Sequence, residues 1–246
     1  MGIQIRNSKW RARIIATAVA AVILTVLPVL ASATTLGGVS SANLSAWSSL
    51  DSVPSPVAFD HFDGCTGNLD NDRDLYDQPW HAPSTDWRCQ AANSRTRSRN
   101  RTTVSDSATV DIGLSDQIEV SMYIERASQT AAGAGSGASL FHDGTTHHMY
   151  VVYQSGADQI TIGKIDGSGD TELVSWSWLP RSNTVELRIQ IDQPEVHIYA
   201  NGSNVGTYTM TAAEQATFGS NPQFGMESDA DRRTRWSWFR IDSLAP

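Results

Sequence analysis

The chain has 246 residues, a formal net charge of −8, 40% hydrophobic residues and two cysteines. This length accommodates one large all-β domain or two small ones. An acidic surface repels phosphate groups, which excludes nucleic acid as an expected partner.

The N-terminus has the arrangement of a secretory signal peptide, predicted over residues 1–33. Four basic residues precede an apolar run over residues 14–30, and Ala31, Ser32 and Ala33 follow it as a small-residue cleavage signal. If cleavage fails, the 17-residue run is long enough to serve as an N-terminal membrane anchor. Removal takes the net charge from −8 to −12, because four basic and no acidic residues leave. We therefore expect a secreted or cell-surface protein.

Residues 34–56 are predicted to form a flexible linker. They are rich in Ser, Ala, Gly and Pro and show little periodicity. Within them, the sequences LGGV (36–39) and NLSAW (43–47) resemble the segment that follows the leader in exported bacterial proteins processed by SipW-type signal peptidases.

Residues 57–246 are predicted to form one all-β domain. Apolar-alternating runs recur about every ten residues, separated by Gly, Asp and Asn turns, and sustained helical periodicity is missing. The predicted strands before residue 180 cover residues 57–62, 95–104, 109–114, 117–124, 138–141, 148–153, 159–165 and 172–178. From Thr184 onward the runs VELRIQI, HIYA, VGTYTM, QFGME and WSWFRIDSL follow, with one short helical turn predicted at 211–216.

This order of segments resembles the concanavalin A-like (LamG/pentraxin-type) jelly-roll family. The resemblance rests on an Asn201-Gly202 hairpin, a Phe-Gly strand at 224–225 and the aromatic final strand WSWFRIDSL, and it covers residues 57–246. It implies an antiparallel two-sheet jelly-roll sandwich in which the first strand, AFDHFDG, pairs near the last. That fold hosts lectins, hydrolases, lyases and structural modules, so it leaves the function open.

Cys65 and Cys89 are predicted to form a disulfide. They are the only cysteines, and both follow the signal peptide in a chain expected to be exported. The bridge would hold the loop-rich segment that follows the first strand.

An acidic loop after the first strand is a candidate calcium site. Asp70, Asp72 and Asp74 alternate there, and calcium prefers carboxylate, amide and carbonyl oxygens. The spacing does not match an EF-hand. The alternative is a solvated turn whose Asp and Asn side chains cap their own backbone.

Two tryptophan pairs could offer stacking surfaces for sugar rings. Trp176 and Trp178 alternate with serines, as do Trp236 and Trp238. In the last strand Phe239 and Ile241 have the parity expected of the core, so Trp238 is predicted to face outward, with Trp236 near a bulge. Trp178 and Trp238 are therefore candidate ligand residues, and core packing is the alternative for all four rings.

An arginine-rich strand is the second candidate ligand surface. Arg95, Arg97, Arg99 and Arg101 recur at period two, so all four would share one face of a strand. Arginine forks bind carboxylates, sulfates and phosphates, which suggests an anionic polymer as ligand. The alternative is an exposed face that discourages edge-to-edge pairing.

The sequence lacks the familiar catalytic motifs. The Glu-x-Asp-x-x-Glu pattern of related glucanases is missing, as are Gly-x-Ser-x-Gly and His-Glu-x-x-His. His147 and His148 would point to opposite faces of a strand, and His142 could approach His148 only if the DGTT turn folds back.

These observations favour a secreted, non-catalytic module that binds a polysaccharide or cell-surface glycan. One alternative is a self-associating subunit of a surface fibre or matrix, in which an open first strand is donated to a neighbour. The second alternative is a polysaccharide hydrolase or lyase with carboxylates from separate strands.

Overall fold

The computed structural model shows an all-β sandwich with one short helix. It describes residues 55–62, 65–70, 72, 76–82, 87–90, 95–98, 105–126, 135–154, 156–178, 184–229 and 234–244. The signal peptide and most of the linker predicted from the sequence lie outside these residues. Among the described residues, no helix is both long enough and apolar enough to span a bilayer.

Two antiparallel sheets contain the fifteen described strands. The larger sheet consists of β1 (Ser55–Asp60), β2 (Thr66–Asn68), β3 (Trp87–Gln90), β4 (Arg95–Ser98), β6 (Ile118–Arg126), β11 (Thr184–Asp192), β12 (Glu195–Ala200), β13 (Ser203–Thr209) and β15 (Thr234–Ser243). The smaller sheet consists of β5 (Ser105–Asp111), β7 (Gly135–His142), β8 (His148–Gln154), β9 (Gln159–Asp166), β10 (Gly169–Ser177) and β14 (Gln223–Asp229).

The strand order brings the two ends of the domain together. The larger sheet has the order β13-β12-β11-β6-β15-β4-β3-β2, and β1 pairs with the second half of β15, with Asp60 opposite Phe239. The smaller sheet has the order β10-β9-β8-β7-β14-β5. The predicted pairing of the first strand with the last is confirmed.

The core lies between the two sheets. It forms because buried apolar residues alternate with outward-facing residues along the strands. In β11 every second residue is at most 1% exposed: Val185, Leu187, Ile189 and Ile191. Because successive side chains of a strand point to opposite faces, the residues between them lie on the outer face. Residues of both sheets belong to one buried apolar cluster.

The turns that connect these strands match the residues present. Asn201 and Gly202 both have positive φ angles, 48° and 78°, as a two-residue type I′ hairpin requires. Thr211 caps the helix α1 (Ala212–Phe218) through a capping box with Glu214. The helical turn predicted at 211–216 is confirmed, slightly longer than expected.

A bulge in β15 separates core from surface as predicted. The register shifts between Trp236 and Trp238. Trp236, Phe239 and Ile241 are at most 1% exposed, whereas Trp238 is partly exposed opposite Tyr123 of β6. The prediction that Phe239 and Ile241 are buried and that Trp238 faces outward is therefore confirmed.

The segment 76–82 is pinned to the sandwich by one buried tryptophan. The Trp80 indole donates to Asp60 Oδ2 at 2.8 Å, and the ring packs against Phe239 with centroids 5.2 Å apart. Asp60 Oδ1 also accepts from the Phe62 backbone N–H. These contacts hold the following residues, His81 and Ala82, over the edge of the smaller sheet.

The predicted disulfide between Cys65 and Cys89 is present, with Cα atoms 5.4 Å apart. Gly67 of β2 lies opposite Cys89 of β3, so the bridge adjoins this short pair of strands. The segment after the first strand was predicted to be loop-rich, so neither β2 nor β3 was predicted. A disulfide is typical of proteins that reach an oxidising compartment.

Replacing both cysteines with serine should lower the free energy of unfolding by about 3 kcal/mol, because the open chain gains loop entropy. Urea unfolding of the oxidised wild type and the double variant would measure this difference. A reduced wild type should match the variant. Equal midpoints for the variant and the oxidised wild type would contradict a stabilising bridge.

Candidate functional site

A polar cavity of about 220 Å³ opens at the β5 edge of the smaller sheet. Its wall combines carboxylate, imidazole, hydroxyl and amide groups. The polar residues that line it are Asp70, His81, Ser107, Thr109, His142 and Gln223.

Three parts of the chain supply these side chains. Ser107 and Thr109 lie on β5, and Gln223 lies on β14 beside it. The Thr109 hydroxyl donates to Gln223 Oε1 at 3.2 Å. His81 exchanges two backbone hydrogen bonds with Thr109, of 2.7 and 3.0 Å, so the segment pinned by Trp80 forms one wall.

A buried ion pair lies directly behind the cavity. Glu227 of β14 is opposite Ser107 of β5, and its Oε2 lies 3.1 Å from His148 Nε2. The Ser107 hydroxyl donates to the same carboxylate oxygen. Glu227 is 1% exposed and His148 is 4% exposed, so water screens this pair very little.

His142 stacks on His148, with ring centroids 4.8 Å apart. Its Nδ1 accepts a hydrogen bond from the Gly144 backbone N–H at 2.9 Å, which leaves Nε2 to carry the proton in the neutral ring. The DGTT turn after β7 folds back. It brings His142 next to His148, as the sequence allowed.

The two stacked histidines have opposite pKa shifts. Burial, together with the neighbouring His148, lowers the pKa of His142 to about 4. Burial also disfavours the charged form of His148, but the Glu227 carboxylate outweighs it and raises the His148 pKa above 6.5. At neutral pH the arrangement therefore favours a neutral His142 at the cavity wall.

These shifts have opposite consequences for stability. The contribution of charged His148 is fully present below pH 6.5 and is lost as the pH rises through its raised pKa. His142 destabilises the fold in acid, because from pH 6.5 down to about 4 only the unfolded chain takes up its proton.

The buried polar atoms of this region that have no hydrogen-bonding partner among the described residues include Glu227 Oε1 and Ser139 Oγ. Ser139 is 0% exposed and lies on β7, opposite Gly225 of β14. Buried unpaired polar atoms are rare in folded proteins and often mark functional sites.

The geometry of Ser107, His148 and Glu227 differs from that of a serine hydrolase. A catalytic triad needs the serine on one ring nitrogen of the histidine and the carboxylate on the other. Here Ser107 Oγ and Glu227 Oε2 both face Nε2, at 3.5 and 3.1 Å. The serine also donates to the carboxylate rather than to the base.

The carboxylates of β10 do not form a glycosidase pair with Glu227 of β14. Asp170 and Glu172 lie on β10 and Glu227 lies on β14, four strand positions apart. At about 4.8 Å per strand, this separation is about 19 Å. Glycoside hydrolysis by paired carboxylates needs about 5–9.5 Å.

The two tryptophans predicted to bind ligand have different environments. Trp178 is 8% exposed and belongs to the buried apolar cluster, so its ring has little surface to offer a sugar. This burial favours the core alternative for Trp178, and a ligand role for its ring stays a prediction. Trp238 lies on the outer face of the larger sheet, and its ligand role stays a prediction.

The predicted arginine strand is partly described. Arg95 and Arg97 lie on β4, which pairs with β3 and β15, while Arg99 and Arg101 lie outside the described residues. The strand assignment for 95–98 is confirmed. The role of these arginines in ligand binding stays a prediction.

The predicted calcium ligands Asp70 and Asp72 have different partners among the described residues. Asp70 Oδ1 accepts from the Ala82 backbone N–H at 3.2 Å, whereas Asp72 Oδ2 lies 4.0 Å from Cys89 Sγ. Asp74 lies outside the described residues. Among the residues described, the one group with metal-ligand spacing is Asp72 with Cys65 and Cys89, and both cysteines are engaged in the disulfide. Calcium binding by this loop stays a prediction.

Most of the residues that line the cavity were not predicted from the sequence. Ser107, Thr109 and Gln223 are ordinary strand residues, and no local motif marks them. The weak signals were the histidines around the DGTT turn and the lone Glu227. Asp70, predicted as a calcium ligand, also lines the cavity.

Several solved structures share this fold. A carbohydrate-binding module, CBM66, from Bacillus subtilis matches with a TM-score of 0.52 and 12% identity over 74% of this chain and 98% of that one. A structure from work on endo-acting O-glycanases of human gut bacteria that initiate mucin breakdown matches with a TM-score of 0.52 and 11% identity, over 78% and 100% of the chains.

A xylan β-1,4-xylosidase from Bacillus halodurans matches with a TM-score of 0.53 and 15% identity, over 75% of this chain and 39% of that one. At such identities these likenesses show the fold alone. No protein-family model matches the sequence, and no curated protein does.

Replacing Glu227 with glutamine should bring the His148 pKa below 6.5, because burial then acts without the opposing carboxylate. NMR titration of the imidazole signals would measure the shift. The same change should cost about 3 kcal/mol of stability, since it breaks a buried pair.

The matched control is Glu172→Gln, an exposed glutamate at the opposite edge of the same sheet. It should leave the His148 titration unchanged. An unaltered His148 pKa in Glu227→Gln would refute the buried ion pair.

Proposed function

We propose that this protein is a secreted, non-catalytic glycan-binding module whose cavity at the β5 edge holds one sugar residue of a polysaccharide or cell-surface glycan. The observation that carries this proposal is the convergence of six polar side chains around one small cavity.

The chemistry of the wall suits a ligand covered with hydroxyl groups. Each sugar hydroxyl can both donate and accept, and the wall offers both functions. Asp70 supplies a carboxylate acceptor, and the Gln223 amide nitrogen supplies donors. A Cβ on Gly144 would lie 3.3 Å from that nitrogen, so glycine leaves the amide room at the cavity wall.

The cavity volume limits the size of the ligand. About 220 Å³ is below the usual range of drug-sized pockets, roughly 300–1,000 Å³, and is enough for a single pyranose or furanose ring. A terminal or branching residue of a glycan would therefore enter, while the rest of the chain would remain outside.

The buried ion pair would support this site by positioning Ser107 and His142. Glu227 orients the Ser107 hydroxyl and favours the charged form of His148, and His148 in turn stacks on His142. A cavity wall held by buried partners loses little side-chain entropy when a ligand binds. The carbohydrate-binding module that shares the fold is in keeping with a sugar ligand.

Both alternatives find less support. The strand that fibre assembly by donation would use, β1, is already paired along β15 within the same chain. Asp170 and Glu172 lie about 19 Å from Glu227, too far to act with it in hydrolysis. Asp70 does line the cavity, so an assay for released reducing ends separates binding from hydrolysis there.

Gln223→Ala should weaken binding of the best glycan about tenfold or more, because a buried sugar hydroxyl loses its partner. A glycan array with the purified chain would identify that glycan, and titration calorimetry would measure the affinity. Asp70→Asn should weaken it as well.

Gln190→Ala is the matched control, since Gln190 is a half-buried glutamine on the larger sheet, bonded to Glu119. It should bind like the wild type. Failure of the wild type to bind any sugar on a broad array would refute the proposal, and release of reducing ends would assign the site to catalysis.

A further inference from the structure

Two hydrogen-bond donors meet at one wall of the cavity. His142 of β7 and Gln223 of β14 are paired in the register of these strands, and both side chains line the cavity. In neutral His142 the proton lies on Nε2, because Nδ1 accepts from the Gly144 backbone N–H at 2.9 Å. In Gln223 the Oε1 atom accepts from Thr109, which leaves the two N–H groups of Nε2 to donate.

Both donor atoms are accessible to a ligand. Among the residues that the structure describes, His142 Nε2 and Gln223 Nε2 have no hydrogen-bonding partner. Neither atom is among the fully buried polar atoms without a partner, so both reach the open space of the cavity. A ligand can therefore accept from them without displacing a protein group.

Acceptors lie beside this donor pair, on β5. The Thr109 hydroxyl donates its hydrogen to Gln223 Oε1, so its oxygen can only accept from a ligand. Ser107, two residues earlier on the same face, is an acceptor for the same reason, because its hydrogen goes to Glu227. Across the neighbouring strands β7, β14 and β5, the wall presents a donor, a second donor and then acceptors.

An acetamido group matches this order of functions. Its carbonyl oxygen has two lone pairs, which can accept from His142 and Gln223, and its N–H can donate to Thr109. A sugar hydroxyl places both functions on one atom and reaches the two sides of the wall less well. Ala82 also lines the cavity and offers an apolar surface to the acetamido methyl group.

An uncharged carbonyl fits the donor pair better than a carboxylate does. Carboxylates form their strong hydrogen bonds with charged donors. Gln223 carries an uncharged amide, and burial together with the neighbouring His148 lowers the pKa of His142 to about 4, so both donors are neutral at pH 7. His148 is 4% exposed, and its positive charge faces Glu227 behind the cavity. A sugar acid therefore gains less here than an N-acetylated sugar.

We propose that the cavity is selective for an N-acetylated amino sugar, whose acetamido group binds between His142, Gln223 and Thr109. This selectivity rests on the proposed function, because it names the sugar that the same cavity holds. His142 is a specificity-determining residue in this arrangement, since its Nε2–H donates to the acetamido carbonyl.

The first test compares ligands that differ at the acetamido position. Calorimetry with the purified full chain would measure binding of the methyl glycosides of N-acetylglucosamine, N-acetylgalactosamine, glucose, galactose and glucuronic acid. We expect at least one N-acetylated sugar to bind about tenfold more tightly than its hydroxyl counterpart and than the glucuronide, because the hydroxyl sugar leaves polar groups of the wall unpaired.

Two substitutions of His142 separate the donor from the fold. An asparagine amide can take the place of Nδ1 and accept from Gly144, but it does not extend to the position of Nε2. A glutamine amide does extend there. His142→Asn should therefore lose the preference for the N-acetylated sugar, about tenfold, whereas His142→Gln should retain part of it. Affinity for the hydroxyl counterpart should change little in either variant, and thermal unfolding would establish that both fold.

The tautomer of His142 can be measured in the wild type, which makes the test independent of variant folding. Nitrogen–proton correlation NMR of the imidazole at neutral pH should show the proton on Nε2 and none on Nδ1. Addition of the N-acetylated sugar should shift the Nε2 signal.

The control variant is His197→Asn, a histidine of the larger sheet whose Nδ1 lies 2.9 Å from the Thr207 hydroxyl. It should keep both the affinity and the preference of the wild type. Equal binding of N-acetylated and hydroxyl sugars, tighter binding of the glucuronide, or a proton on Nδ1 of His142 would overturn the selectivity and leave the glycan-binding function standing. Binding of no sugar at all would refute both.

Discussion

The hydrogen bond from Trp80 to Asp60 is the contact on which the cavity depends. Asp60 is 5% exposed, and both its oxygens accept hydrogen bonds, so its buried charge is compensated within the core. Breaking this contact would remove one of the hydrogen bonds to a buried carboxylate, which costs roughly 1–3 kcal/mol. The same tryptophan packs on Phe239 of the last strand. The position of His81, and with it one wall of the cavity, follows from a core interaction about twenty residues upstream.

The two outer faces of the sandwich differ in how their polar side chains are placed. On the smaller sheet, polar side chains are buried in a network around Glu227 and His148, where low dielectric strengthens each contact. On the larger sheet, charged side chains such as Arg188 and Glu119 lie on the outer face, where water and salt weaken their attraction. A buried network suits an uncharged ligand held by directed hydrogen bonds.

The stacked histidines make the cavity sensitive to acid. The pKa of His142 is lowered to about 4 and that of His148 is raised above 6.5, so between these two values the adjacent rings favour different charges. The difference comes from one carboxylate, since Glu227 contacts His148 and not His142 in the ion pair. The polarity of the cavity wall therefore depends on a residue that does not line it.

The sequence by itself determined the class of fold, most strand positions, the disulfide and the parity of β15. These depend on local patterns: alternation in β11, the positive-φ pair Asn201-Gly202, two cysteines, and the spacing of Phe239 and Ile241. Only the tertiary structure decided which residues meet across strands. Ser107 and Glu227 are 120 residues apart in sequence, and Arg88, Arg97 and Arg235 align only through register. Trp178 alternates with serines in the sequence, which left both a ligand role and core packing open, and it is buried. Register and the packing of one sheet on another depend on contacts between distant segments, and no local window of sequence contains them.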